Sequence, residues 1–169
     1  SLQADTGGQY SVAVGYRALF SQNFTTAGST TNNVAMGRDA GKNITSGIVN
    51  TLIGSVAGDA LTDADYNTVV GYAALTNDTL GSRSTAIGNS ALQNQNFSTA
   101  QNTNNTAVGF QAGINMTTGL SNTLLGSLAG YALTDADNNV VVGYNALAAD
   151  TMGSRSVAVG YEALNTQNF

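Results

Sequence analysis

The stretch NTAVGFQAG, residues 105–113, contains the unit from which almost the whole chain is built. Its central glycine, followed three positions later by alanine, returns about every 17 residues, with a longer interval at two places. Because repeats of this length fold as stacked structural units, we treat each as one coil, numbered 1 to 9 by its glycine. The repeat glycines are Gly15, Gly37, Gly54, Gly71, Gly88, Gly109, Gly126, Gly143 and Gly160.

Positions beside the repeat glycine are restricted as well. Asn or Ser stands four residues before it, and Val, Ile, Leu or Met stands one residue before it. The repeated glycine predicts either a backbone angle that other residues disfavour or a close approach that a Cβ would block. The repeated alanine predicts a site with no room for a larger side chain. Asn before a strand suits a left-handed turn, and stacked Asn side chains predict a hydrogen-bonded ladder along the coils.

The sequence also has a longer repeat, which spans four coils. Residues 51–65 read TLIGSVAGDALTDAD, and residues 123–137 read TLLGSLAGYALTDAD. Coils 1 and 5 are enlarged at the same place in this longer repeat. We therefore interpret residues 1–169 as a single repeat domain of nine coils, each of about 17 to 22 residues. Because the sequence shows no targeting or anchoring segment, we expect this domain to be a fragment of a longer protein.

The repeats predict an all-β parallel solenoid. Short runs rich in β-branched residues, such as residues 85–87, are bounded by turn-forming residues and return once per coil, and no helical period is present. The runs at residues 12–14 and 140–142 are apolar at successive positions, which indicates a sheet covered on both faces. The coil interior covers one face, and neighbouring copies in a homotrimer would cover the other. A dimer and a monomer remain open.

Composition excludes several classes of function. The chain has no Cys and no His, which excludes disulfides and zinc or nucleophile sites built on these residues. Its five Lys and Arg against ten Asp and Glu, a net charge of -5, do not suit a phosphate backbone, so we expect no nucleic-acid partner. No apolar run is long enough to form a transmembrane helix, and we expect no membrane insertion within this segment. We also expect no cofactor and no tightly held metal.

The segments at residues 105–113 (NTAVGFQAG) and 11–19 (SVAVGYRAL) resemble the N-S-V-A-I-G-x-x-S/A repeat of YadA-like head domains, which belong to trimeric autotransporter adhesins. Similar repeats occur in trimeric phage tail fibres and in surface fibres of predatory bacteria. The resemblance covers nearly the whole chain and implies a left-handed parallel β-roll solenoid, assembled as a side-by-side homotrimer outside the cell. The longer coil departs from the head repeat and leaves open whether the fibre is bacterial or phage-borne.

The enlarged coils are the candidate ligand-binding sites. Each carries the sequence QNF, and aromatic and amide side chains on loops of a rigid scaffold suit the faces and hydroxyls of sugars. The alternative is that the two phenylalanines fold back over an edge of the solenoid. The candidate residues are Gln22, Asn23, Phe24, Gln95, Asn96 and Phe97.

The duplicated LTDAD turns offer a second set of candidates. Asp63 and Asp65, repeated as Asp135 and Asp137, could form a calcium-binding turn, but no further spaced oxygen ligand is present. A glycosidase needs its carboxylate pair only once, whereas these pairs repeat with the coil. We therefore predict solvated turns, no catalytic residue and no enzyme. The Arg of each GSRS turn is expected to pair either with the Asp five residues earlier, Asp78 for Arg83 and Asp150 for Arg155, or with a neighbouring chain.

Three functions follow as hypotheses. The first is a structural and adhesive segment of an extracellular trimeric fibre, which holds or forms a surface for cell receptors or envelope glycans. The second is an ice-binding solenoid, because Thr occupies the same place in coils 3 to 7, although Val replaces it in the coils at both ends. The third is a polysaccharide-degrading tail spike.

Overall fold

The computed structural model describes residues 2–168, which form a parallel β-solenoid of nine turns without a helix. Each coil contributes one three-residue strand to a single nine-stranded sheet, and four two-residue strands form two small pairs beside it. The strands are β1 (Gly8–Gln9), β2 (Val12–Val14), β3 (Ser29–Thr30), β4 (Val34–Met36), β5 (Thr51–Ile53), β6 (Thr68–Val70), β7 (Gly81–Ser82), β8 (Thr85–Ile87), β9 (Gln101–Asn102), β10 (Thr106–Val108), β11 (Thr123–Leu125), β12 (Val140–Val142) and β13 (Val157–Val159).

The large sheet follows the order of the coils. Its strands run β2-β4-β5-β6-β8-β10-β11-β12-β13, all parallel, and each pairs with the equivalent residues of the next coil. Thr85, for example, faces Thr68 on one side and Thr106 on the other. The prediction of one strand per coil is confirmed, and eight strand spacings give the nine coils a length of about 40 Å.

The repeat glycines stack into a column in which backbone approaches backbone. Gly71 has a φ of +141°, and a Cβ placed there would lie 2.3 Å from the carbonyl oxygen of Gly88. The other repeat glycines of coils 1 to 8 face the next glycine in the same way. The sequence-based prediction of a special backbone angle and a close approach is confirmed, and both requirements fall on the same residue.

Left-handed backbone recurs three times in every coil, at residues that are mostly not glycine. It occurs two and four residues after the repeat glycine and five residues before it, as at Val56 and Tyr66. The repeated Asn position was predicted to take this conformation, and that prediction is wrong by one residue. The residue before it does so, because its N–H bonds the preceding coil: Tyr66 N donates to Ile48 O at 3.1 Å.

The asparagines instead form a buried ladder, as predicted. Asn50 Nδ2 donates to Asn33 Oδ1 at 3.2 Å and to the carbonyl of Ala64 at 2.7 Å, while its backbone N–H donates to the same Asn33 oxygen at 2.9 Å. Asn67 repeats these contacts one coil further on. Each amide therefore joins two coils and closes its own turn.

The interior is filled by side chains whose sizes compensate. Where the residue four after the repeat glycine is Leu, the residue seven after it is Gln or Asp, as in the pair Leu75 and Asp78. Where it is Gly, the later residue is Ile, Leu or Met, as in Gly58 and Leu61. A Cβ on Gly58 would lie 2.8 Å from Leu61 Cδ1. This exchange between two sites follows the four-coil repeat of the sequence.

Candidate functional site

The outer face of the nine-stranded sheet is apolar and uncovered in the single chain. The middle residue of each strand points inward, whereas the first and third residues point out, which gives exposed fractions of 50% at Val14 and 68% at Val157. We call these outward positions the outer face. They contain only Val, Thr, Ile, Leu and Met, so this surface of roughly 40 Å by 10 Å carries no charge.

An aromatic column runs beside the outer face, one residue after the repeat glycine. Its aromatic members are about half exposed or more, and two of them, Tyr144 and Tyr161, stack with ring centroids 5.5 Å apart. The intervening coils carry Arg, Ser or Asn at this position. The aromatic members are Tyr16, Tyr72, Phe110, Tyr144 and Tyr161.

Threonines occupy the middle of the outer face. The first strand residue is Thr in coils 3 to 7, and these residues pair in direct register from strand to strand. Val takes their place in the two coils at either end. The hydroxyl column therefore spans five coils of nine.

The six QNF residues separate into buried and accessible groups. Gln22, Gln95 and Phe97 are buried, and Phe97 keeps only 7% of its surface. Asn23 and Asn96 are exposed, and Phe24 is half-buried. The Gln side chains thus lie within the solenoid, and Phe97 is buried without joining the hydrophobic core cluster. A ligand approaching the single chain would reach the two asparagines and Phe24.

The buried Gln side chain of coil 5 is the centre of a hydrogen-bond network. Gln95 Nε2 donates to Asp78 Oδ2 at 2.6 Å and to Ser84 Oγ at 2.9 Å, and Gln95 Oε1 accepts from Asn105 Nδ2 at 2.9 Å. Ser84 Oγ and Thr103 Oγ1 lie 2.6 Å apart. Position 84 is Ser where most coils have Asn, and the Gln95 amide takes the place of the missing Asn amide in the ladder.

Coil 1 contains the same network. Gln22 Nε2 donates to Asp5 Oδ2 at 2.5 Å and to Ser11 Oγ at 3.2 Å, and Asn33 Nδ2 donates to Gln22 Oε1 at 2.9 Å. Ser11 Oγ and Thr31 Oγ1 lie 2.5 Å apart. Burial of Asp5 works to raise its pKa, but hydrogen bonds from Gln22 and from the N–H groups of residues 8, 24 and 7 outweigh it, so the pKa is lowered.

The repeated acidic turns are held by local hydrogen bonds. Asp63 Oδ1 accepts from Ser46 Oγ at 2.6 Å, and Asp65 Oδ1 accepts from the N–H of Ile48 at 2.8 Å. Asp137 contacts the N–H of Leu120 in the same way at 2.7 Å. These carboxylates thus join neighbouring coils. Residues 2–168 contain no group of three acidic side chains placed to hold a metal ion.

Arg83 does not pair with Asp78 within the chain, so this part of the prediction is wrong, and a neighbouring chain stays a predicted partner. Asp78 is fully buried and accepts from the N–H groups of Gly81 and Phe97 in addition to Gln95, whereas the Arg83 guanidinium lies over the Tyr66 ring at 6.0 Å. The buried carboxylate is satisfied by neutral donors, so the arginine stays at the surface.

A charged cluster lies at the first two coils. Arg17 Nε contacts Asp39 Oδ1 at 2.7 Å, and Arg38 contacts the other oxygen at 2.5 Å. The hydrogen bond from Arg17 lowers the pKa of Asp39 despite its burial. Asp59 differs, because burial raises its pKa more than its hydrogen bond from Thr76 lowers it. The cluster ties two coils together and faces no cavity.

The surface formed by residues 2–168 has no pocket. Over the same residues, no helix is long and apolar enough to cross a membrane. Comparisons of the chain with models of protein families, with characterised proteins and with solved structures gave no match. The features available for function are therefore surfaces: the outer face, the aromatic column and the enlarged coils.

Proposed function

We propose that this chain is a structural and adhesive segment of an extracellular fibre, in which three copies pack side by side as left-handed solenoids. The observation that carries the proposal is the uncharged outer face, which extends along all nine coils. A surface of about 400 Å² is comparable to the largest apolar patch on a typical soluble monomer, and such patches are often functional. The resemblance to trimeric adhesin and tail-fibre repeats supports the same assembly.

A stable assembly needs more surface than the outer face alone, and the choice of three copies over two rests on the resemblance to trimeric fibre repeats. A stable pair of proteins usually buries about 800 Å² on each partner, roughly twice the area available here. In a threefold bundle every chain contacts two neighbours, and the adjacent aromatic column adds large side chains such as Tyr72 and Phe110 to the contact. Copies in register would place equal residues at equal heights along the fibre.

In this proposal the fibre serves attachment to cells. A rigid shaft holds a receptor-binding part away from a surface, or presents its own exposed groups to envelope glycans, and three equivalent copies allow weak contacts to add through avidity. Asn23, Phe24 and Asn96 are the accessible QNF residues for such contacts. The proposed fibre belongs to a bacterial surface or a virion tail and carries no catalytic site. Ice binding fits less well because valines replace the threonines in the two coils at either end.

The oligomeric state tests the proposal. We expect the purified protein to scatter light as a trimer at micromolar concentration, and we expect Val142→Asp to give the monomer mass, because the change places a charge on the outer face of β12. Thr118→Asp is the matched control: it is exposed, and Asp63 and Asp135 occupy the same place in other coils, so the trimer should persist. A monomer mass for the unmodified protein would contradict the proposal.

A further inference from the structure

The two enlarged coils leave the stack at the same point and return to it. Residues 25–28 in coil 1 and residues 98–100 in coil 5 are exposed, and we call them the loops. The first loop is followed by β3, which pairs with β1, and the second by β9, which pairs with β7. Each extra segment thus ends in a short strand that pairs in parallel with a strand one turn earlier in the chain.

Both ends of the second loop are held by one buried network. At its start, the N–H of Phe97 donates to Asp78 Oδ1 at 3.2 Å, and Thr79 Oγ1 donates to the carbonyl of Phe97 at 3.0 Å. At its end, Thr103 Oγ1 contacts Ser84 Oγ and donates to the carbonyl of Ser82 at 3.0 Å. Gln95, which bonds both Asp78 and Ser84, connects the two ends.

The first loop has the same attachment. The N–H of Phe24 donates to Asp5 Oδ1 at 3.3 Å, Thr31 Oγ1 donates to the carbonyl of Gln9 at 2.6 Å, and Gln22 connects Asp5 with Ser11. The same four side-chain types, Asp, Ser, Gln and Thr, occur in two coils of different loop length, which indicates that the network is independent of the residues between its ends. Coils 2 to 4 and 6 to 8, which are not enlarged, have Asn in place of this Ser and an apolar residue or Asp in place of this Gln.

We infer that Asp78, Ser84, Gln95 and Thr103 form a clamp, which isolates the stacked coils from changes in the loop. Asp5, Ser11, Gln22 and Thr31 form its counterpart in coil 1. The clamp fixes the two points where the chain leaves and re-enters the solenoid. The loop sequence between them can then change in length and chemistry while the coils keep their stacking. The loops are thus the positions along the stacked coils at which added or altered sequence is tolerated.

The clamp is tested by inserting the same peptide into coil 5, which has the clamp, and into coil 6, which does not. A Gly/Ser peptide of about eight residues is placed between Thr99 and Ala100, and the same peptide between Thr118 and Gly119 at the corresponding turn of coil 6. The first insertion should lower Tm by no more than about 3 °C, the cost of a longer loop. The second should lower it by more than about 10 °C, because Gly119 O accepts from Asn105 Nδ2 at 2.6 Å.

Equal losses of Tm at the two insertion sites, at matched protein concentration, would overturn the inference. Hydrogen exchange supplies an independent measurement. In Asp78→Ala, which removes the acceptor of the Phe97 N–H, the amide of Phe97 should exchange at least about tenfold faster, while the amide of Gly109, which donates to Ile87 O, stays protected. Asp63→Ala removes a carboxylate from an exposed turn and should leave both rates unchanged. Unchanged exchange at Phe97 in Asp78→Ala would also contradict the clamp.

Discussion

At the scale of single residues, the repeat glycine is required by the neighbouring coil. Its backbone conformation disfavours a side chain, and its missing Cβ is the space that the next glycine's carbonyl oxygen approaches. Gly28 has a positive φ of 86° without such a neighbour, since the nearest heavy atom to a Cβ there is 4.0 Å away. Substitution of Gly28 therefore tests conformational strain alone, whereas substitution of a repeat glycine tests strain and steric overlap together.

Gly71→Ala should lower the free energy of unfolding by more than about 3 kcal/mol, because strain and overlap act together. Gly28→Ala should cost about 1 kcal/mol, because only the backbone conformation is affected. Urea denaturation of both variants measures the difference. A Gly71→Ala variant as stable as Gly28→Ala would show that the coils move apart easily at the glycine column.

At the scale of the structural element, the asparagine ladder holds successive turns together. Asn122 donates to Asn105 Oδ1 and to the carbonyl of Ala136, and its own oxygen accepts from the backbone and side chain of Asn139. Removing one such amide leaves several buried groups without partners. This loss costs more than the hydrogen bonds contribute in an exposed position.

Asn122→Ala should therefore destabilise the protein by about 3 to 5 kcal/mol. Asn115→Ala is the control, because the Asn115 side chain is only half-buried and donates one hydrogen bond, to the carbonyl of Tyr131 at 2.9 Å. That change should cost under about 1 kcal/mol. Chemical denaturation of the two variants checks the ladder, and similar costs at both sites would argue against its importance.

At the scale of the whole molecule, acid should destabilise the solenoid. The folded pKa of Asp5 and of Asp39 is lowered, so each ionised carboxylate contributes stability above its unfolded pKa, and that contribution is lost as the pH falls through the folded value. Asp59, whose pKa is raised, acts in the opposite direction. Because two of these carboxylates have a lowered pKa and only one of the three has a raised pKa, the net effect of acid on this set is to lower the stability of the fold.

We expect Tm to change little between about pH 7 and pH 5 and to fall below about pH 4. Asp39→Asn should be less stable at neutral pH and should show a shallower fall in acid, because the group with the lowered pKa is gone. Asp63→Asn, in an exposed turn, serves as the charge-matched control. A Tm that rises steadily from pH 5 to pH 3 would contradict this account.

The number of coils, the parallel strands and their register were determined by the sequence alone. A motif that returns at a constant interval in most coils, with residues such as Thr68 and Thr85 at equal places, can stack in only one register without burying mismatched side chains. The asparagine ladder and the glycine column follow from the same rule. Identical residues at identical positions meet their own copies one strand spacing away.

The sites of left-handed backbone and the burial of the QNF residues were decided only by the tertiary structure. Val56 and Tyr66 take a conformation that neither residue favours, because their N–H groups bond the preceding coil. Gln95 is buried because Asp78 in the coil below and Asn105 in the coil above use its amide, and these partners come from other coils of the chain. The burial of a polar side chain depends on partners that stacking supplies, and one coil's sequence does not contain them.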